Sequence, residues 1–229
     1  MNITITADFS RIRAQLVEQG RQVDYALARA LTDTATGLRD EIGTAARAAL
    51  DRPRDFSVGR GALRVVPARK DRLSAAVLFK DIQAGYMVYQ TDGGTRQPGP
   101  PGLRIPGKIP LDSFGNIPRG VIPRLKAVAR TEGGTVRRRG KRLGVYRGEE
   151  VFLGDPDDHG GRPRGYGLYR IIRRRSGVDS MISLVRFPRV PAQYRRRIDL
   201  QAVATDYVSR TFDDTFRRRL TEALASARV

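Results

Sequence analysis

The sequence predicts an α+β fold: a long N-terminal helix, an antiparallel β-sheet with a long Gly/Pro-rich inserted loop, and a C-terminal helix. Three observations lead there. Apolar residues recur at spacings of three and four over residues 21–50, and do so again over 198–227. Between these stretches lie short runs of branched and aromatic residues set apart by glycine, proline and charge. Strands grouped between helices, rather than alternating with them, favour an antiparallel sheet in one domain. No internal repeat and no clear boundary is visible, so residues 1–229 read as a single domain, with 91–143 as an extended loop or arm.

The elements follow in order. Residues 2–7 alternate, with Ile3, Ile5 and Ala7 on one side, which is a short strand pattern. Asp8 or Ser10 can cap a short helix carrying Ile12 and Leu16. The long helix then places Val23, Leu27, Ala30, Leu31, Ala35, Leu38, Ile42, Ala45, Ala46 and Ala49 on one stripe, with Arg29, Asp33, Arg39 and Asp40 largely off it. Pro53 stops it. Residues 62–66 and 73–79 read as strands, and 86–90 fits strand or helix. The stretch 91–143 is dense in Gly and Pro, interrupted by a short helix over 123–130 with Leu125, Val128 and Ala129 inward. A packed loop of such length usually has a task. Strand patterns return at 144–147, 150–153, 168–172 and 181–187, and Pro188 and Pro191 end the sheet region. The closing helix carries the stripe Val203, Tyr207, Val208, Phe212, Phe216, Leu220 and Leu224, with residues 217–219 exposed near its end. Phe212, Phe216 and Leu220 are its expected core or interface anchors.

Composition narrows the chemistry. Of 229 residues, 43 are Lys or Arg and 24 Asp or Glu, a net charge of +19. A chain so basic is attracted to polyanions, and its predominance of Arg over Lys suits planar, bidentate recognition of phosphate or carboxylate. There is no cysteine, which excludes disulfides, Cys-ligated zinc and thiol catalysis. His159 is the only histidine. The first residues lack a basic segment followed by an apolar one, and no apolar run approaches the ~20 residues of a membrane span. The expectation is a protein made in the cytoplasm, with no membrane contact.

No catalytic, cofactor or metal site is expected. Residues 154–161 gather Asp155, Asp157, Asp158 and His159, yet lack the ordered ligand spacing of a calcium loop and read as a polar turn. Gly93-Gly94-Thr95-Arg96 and Gly133-Gly134 lack the pattern of a phosphate-binding loop. The basic clusters are 137–142, 173–175, 195–197 and 217–219. Arg137, Arg138, Arg139, Lys141 and Arg142, then Arg173, Arg174 and Arg175, are the candidate contacts to nucleic acid or an acidic partner. No base-reading motif accompanies them, so any nucleic-acid contact runs through phosphates, independent of sequence and sensitive to salt. Tyr86, Tyr89, Tyr166 and Tyr169 fit core or interface packing better than base stacking.

Asp24-Tyr25-Ala26-Leu27-Ala28-Arg29-Ala30-Leu31-Thr32-Asp33-Thr34-Ala35 resembles the Ala-rich start of the long helix in phage minor tail protein Z and tail-completion proteins, with Asp33 where Asn is common. Val66-Pro67-Ala68-Arg69-Lys70-Asp71, the Gly93-Gly94 pair after Tyr86, Gly115-Asn116-Ile117-Pro118-Arg119-Gly120, and Phe187-Pro188-Arg189 through to Leu224 are similar to the later parts of such proteins. The resemblance touches most of the chain through scattered motifs, none of them catalytic. It implies a structural virion protein: a small α+β subunit in a homo-oligomeric, six-fold ring at the head–tail (neck) junction. Such a ring would meet tail terminator, tail tube or neck proteins and lie near duplex DNA. The alternative is a non-viral, sequence-independent nucleic-acid-binding protein. A long 91–143 arm favours the ring, since interlocking subunits reach their neighbours with such segments.

Overall fold

The computed structural model describes residues 2–5, 20–98, 103–129, 150–155, 165–172 and 180–226. The class is α+β, with a long helix near the N-terminus, small antiparallel sheets and a C-terminal helix. The chain divides into two compact units. One comprises residues 1–94 and 194–229; the other comprises 95–193. Each has its own apolar core.

The first unit is organised by helix α1 (Gly20–Ala49). Most of its stripe is buried as its spacing requires: Val23, Leu27, Ala30, Leu31, Ala35, Leu38, Ile42 and Ala46 are all below 2% exposed, while Ala45 and Ala49 are half-buried. Behind it the chain turns at Arg52, whose φ of 44° lies in the left-handed region, passes a single helical turn α2 (Asp55–Val58) and enters strand β2 (Leu63–Val66). Strand β3 (Ala75–Phe79) lies between β2 and β1 (Asn2–Ile5), antiparallel to both. Ala75, Val77 and Phe79 alternate into the core, the period of two expected of a half-buried strand.

Residues 86–90, open between strand and helix on sequence, belong to helix α3 (Asp81–Thr91). Its buried positions are Gln83, Met87 and Thr91, one residue per turn. The last helix, α5 (Leu200–Ser226), packs along α1. Asp199 caps its start: the Ala202 N–H donates to the Asp199 carboxylate at 3.0 Å. Gly37 lets the helices approach, because a Cβ there would run into the Tyr207 hydroxyl. The cores of α1, β2, β3, α3 and α5 merge into one cluster that includes Phe216.

The second unit contains most of the stretch anticipated as an extended arm. Within 91–143, most described residues are exposed, but a few of them enter a core. Strand β5 (Ile105–Pro106) pairs with β8 (Ser180–Arg186), and helix α4 (Val121–Val128) turns Ile122 and Leu125 into a core shared with Ile109 and Ala129. Val128, expected inward, is only half-buried. The sheet runs β5-β8-β7-β6, with β7 (Gly167–Ile172) and β6 (Glu150–Gly154), all antiparallel. Proximity of backbones explains two of the glycines misread as loop signals: a Cβ at Gly107 would strike the Ser183 carbonyl, and one at Gly167 would lie 2.5 Å from the Val185 carbonyl. Nor does strand structure end at Pro191, since β4 (Gly94–Arg96) pairs with β9 (Ala192–Tyr194) in a separate two-stranded sheet. The expected short helix around Ile12 and Leu16 and the strand at 144–147 lie outside the described residues.

Candidate functional site

Of the cationic residues singled out from sequence, Arg137, Arg138, Arg139, Lys141, Arg142, Arg173, Arg174 and Arg175 lie outside the described residues, as do Asp157, Asp158 and His159. Asp155 is half-buried just after β6. Among the described residues, no group of three or more His, Asp or Glu side chains is placed to hold a metal ion. The expected anchors of α5 divide: Phe216 is buried, whereas Phe212 and Leu220 are half-buried against the same cluster. The Phe212 and Phe216 rings stack with centroids 6.2 Å apart and an interplanar angle of 4°.

Several cations of the first unit sit beside carboxylates, whereas Arg29 and Lys70 lie over the Tyr25 ring, 5.9 and 5.1 Å from its centroid, with no ion pair among the described residues. Arg60 forms a fork on Asp40, with contacts of 3.1 and 2.7 Å, and Arg39 bonds the same carboxylate. The Arg60 hydrogen bond holds the Asp40 carboxyl below the usual carboxylate range, and Asp40 in turn raises the Arg60 guanidinium. Arg47 meets Asp55 at 2.7 Å, and Arg210 meets Asp206 at 2.8 Å. Arg196 pairs with Asp199, whose carboxyl is lowered first by the Ala202 N–H. Arg219, expected in an exposed basic run, instead bridges α5 to α1: it reaches Asp33 at 2.5 Å and Glu222 at 2.6 Å. Both acids raise it, Glu222 the more. Arg217 and Arg218 are exposed as expected, Arg217 with 77% of its side chain in solvent. Arg195 and Arg197 are exposed beyond β9, where the Arg197 N–H donates to the Gln90 carbonyl at 2.8 Å.

The second unit is the more basic of the two. Residues 95–193 hold 21 of the 43 Lys and Arg but only 8 of the 24 Asp and Glu, and so carry +13 of the net +19. At one end of its sheet, register brings three chain segments side by side. Arg186 on β8 is opposite Gly167 on β7 and opposite Ile105 on β5. One residue further, the Phe187 N–H donates to the Tyr166 carbonyl at 2.9 Å, and Arg104 occupies the corresponding position before β5. The Tyr166 and Phe187 rings sit 6.2 Å apart. A cation rides on each: the Arg189 guanidinium is 4.6 Å from the Tyr166 centroid, and the Lys126 ammonium, from α4, is 4.9 Å from that of Phe187. Arg104, Lys126, Arg186 and Arg189 are exposed and make no ion pair with any described residue.

This row was not anticipated. Arg104, Lys126 and Arg189 are isolated cations in sequence, whereas the tripeptide runs draw the eye; the one local signal was Arg186-Phe187-Pro188-Arg189, an aromatic between two arginines. Tyr166 and Tyr169, paired in expectation, part company. Tyr169 is fully buried and donates its hydroxyl to the Gly165 carbonyl, while Tyr166 is half-exposed under Arg189. Tyr86 and Tyr89 lie on a helix, where Tyr86 donates to the Ser57 hydroxyl at 2.9 Å and Tyr89 packs on Tyr194 at 5.2 Å.

Comparison of the chain with protein-family models, with curated proteins and with solved structures returns no match.

Proposed function

We propose that this chain is a structural virion protein of a tailed phage, a tail-completion or minor tail protein that forms a ring at the head–tail junction and is not an enzyme. The observation that carries the reading is the Ala-rich run 24–35, which opens α1 and resembles the start of the long helix in that family. Its small residues serve packing: Ala26, Ala28, Ala30 and Ala35 are buried between longer apolar neighbours. Partners on this reading are further copies of the chain in a six-fold ring, the tail terminator, tail tube or neck proteins, and duplex DNA; its place is the virion, after synthesis in the host cytoplasm. No helix among the described residues is long and apolar enough to cross a membrane.

One part of the supporting argument changes. The reach of an extended 91–143 arm no longer favours a ring, because Ile109, Ile122 and Leu125 of that stretch belong to a core. Deleting residues 99–120 would remove Ile109 from that core along with strand β5 and unfold the second unit, so it is a poor assembly test. The direct test is to disrupt the gene in its phage and supply the protein in trans. The expected result is heads and tails that fail to join without it, restored by the intact chain, with the protein present in purified particles. Normal titre without the gene, or purified particles lacking the protein, refutes the reading. The concentration of +13 in residues 95–193 favours a second reading, a non-viral, sequence-independent nucleic-acid-binding protein; duplex binding by a chain that particles lack would select it.

A further inference from the structure

We infer that the end of the second unit's sheet, the row Arg104–Phe187–Tyr166 with Lys126 and Arg189 riding on its rings, is a contact for the sugar–phosphate backbone of duplex DNA. The inference rests only on the polyanion contact of the proposed function and does not require placement in a virion.

The argument begins with how a cation is held. An ion pair orients a guanidinium but cancels its charge, as Asp33 and Glu222 do for Arg219. An aromatic face also orients the cation, yet leaves the charge whole. Arg189 and Lys126 are held in this second way, and no described carboxylate neutralises them. A guanidinium lying over a ring keeps its N–H edge outward, the geometry that bonds phosphate oxygens in pairs. The rings cannot serve as base-stacking platforms on the faces the cations occupy, so the contact is with backbone rather than with splayed bases.

The scaffold beneath is rigid. Gly167 is pinned between the Val185 carbonyl and Tyr169, and the Phe187–Tyr166 backbone bond continues the ladder beyond Arg186. Three cations from three segments, Arg104, Lys126 and Arg189, thus gather about the Phe187–Tyr166 rings in a unit of net charge +13, while Arg186, alternating with Phe187 at the end of β8, serves the opposite face of the sheet. A protein partner would need a matching acidic face. A duplex offers one negative charge per ~1.7 Å of axis wherever it is met, which suits a surface with many cations and no donors set for base edges.

The test measures binding of the purified full chain to a labelled mixed-sequence duplex by fluorescence anisotropy across salt concentrations. The variant Arg104→Gln/Lys126→Gln/Arg189→Gln removes three exposed charges, with thermal melting as the check on folding. Each lost phosphate contact reduces the slope of log affinity against log salt by about 0.9, so the expected loss is about 2.7. Tyr166→Leu keeps every charge; it should leave the slope unchanged and weaken binding about two- to fivefold, because Arg189 loses its seat. An unchanged slope in the folded triple variant overturns the inference, as does failure of the intact chain to bind duplex at low salt. Polyglutamate competing as well as unlabelled duplex of equal charge would assign the surface to an acidic protein instead. None of these measurements depends on whether particles assemble, so the inference and the virion reading fail separately.

Discussion

Truncating Phe216 to Ala tests whether α5 is held by its apolar stripe. Phe216 is 8% exposed and belongs to the core shared by α1, β3 and α5. Removing a buried aromatic forfeits about 1.5–3 kcal/mol of transfer free energy, and the cavity raises typical Phe→Ala losses to about 3–5 kcal/mol. Which end applies depends on how far the neighbours can close in. Phe212 and Leu220, one turn to either side, are half-buried and can move, and the stacked Phe212 ring lies 6.2 Å away. The loss should therefore fall near the lower end, about 3 kcal/mol. Arg217 on the next position is the control. Its side chain is 77% exposed and its one contact, to an Asp214 that is 84% exposed, spans 3.5 Å, so Arg217→Ala should change stability by less than about 0.5 kcal/mol. In urea titration at unchanged slope of about 2 kcal/mol per molar, Phe216→Ala should lower the midpoint by about 1.5 M, and Arg217→Ala by almost nothing. Equal midpoints for the two variants would refute the packing argument for the whole stripe.

Four further outcomes are expected. Gly167→Ala should destabilise the protein by at least about 1–3 kcal/mol in urea titration, because the new Cβ meets the Val185 backbone carbonyl and not a movable side chain; a neutral result would show that the β7–β8 ladder gives way there. The lowered Asp40 pKa contributes stability that is present above the ordinary carboxylate range and lost as pH falls through the lowered value; because Arg60 is its largest cause, Arg60→Ala should raise the Asp40 pKa in an NMR titration and flatten the acid limb of the stability profile. Arg219→Ala should cost more than Arg217→Ala, about 1 kcal/mol, since it strands a half-buried Asp33; equal losses would show the α1–α5 bridge to be idle. Calcium, magnesium and manganese should leave the melting temperature unchanged, whereas a concentration-dependent rise abolished by Asp157→Ala would mean a metal site in residues 154–161.

The helices α1 and α5 were legible because many apolar residues recur at helical spacing, and a stripe that long admits no strand. Helix α3 was not, because two of its three buried positions are polar. Gln83 is buried with its amide donating to the Phe56 carbonyl at 2.9 Å, and Thr91 turns its hydroxyl onto the Met87 carbonyl at 3.3 Å. Hydropathy sees neither as core. The second unit was hidden by its own packing chemistry. Gly107 and Gly167 serve close backbone approach, yet in sequence they look like loop punctuation, and Ile109, Ile122 and Leu125 are too sparse to show a period. For the candidate surface, clustered arginines are visible by eye, but Arg104, Lys126 and Arg189 are joined only by strand register, which a linear reading does not supply.

The distribution of charge sharpens what the arginines are for. Were the net +19 present only to keep the protein soluble, nothing would concentrate it; an even spread would leave less than half in the 99 residues of 95–193, which in fact carry +13. Self-repulsion on that scale works against compactness, and the first unit illustrates the remedy open to any fold. Arg39, Arg47, Arg60, Arg196, Arg210 and Arg219 each sit beside a carboxylate. At the sheet end of the second unit, aromatic rings stand where those carboxylates would be, under Arg189 and Lys126. An acid in place of Tyr166 would relieve the repulsion and stabilise the free protein, but it would remove the charge that a polyanion meets. Tyr166→Glu therefore separates the two roles of the site: screening by salt should matter less to its stability than to that of the intact chain, while its affinity for duplex DNA should fall by more than that of Tyr166→Leu. If Tyr166→Glu bound duplex as well as Tyr166→Leu does, the charge on Arg189 would have no part in binding, and the row would be a packing feature alone.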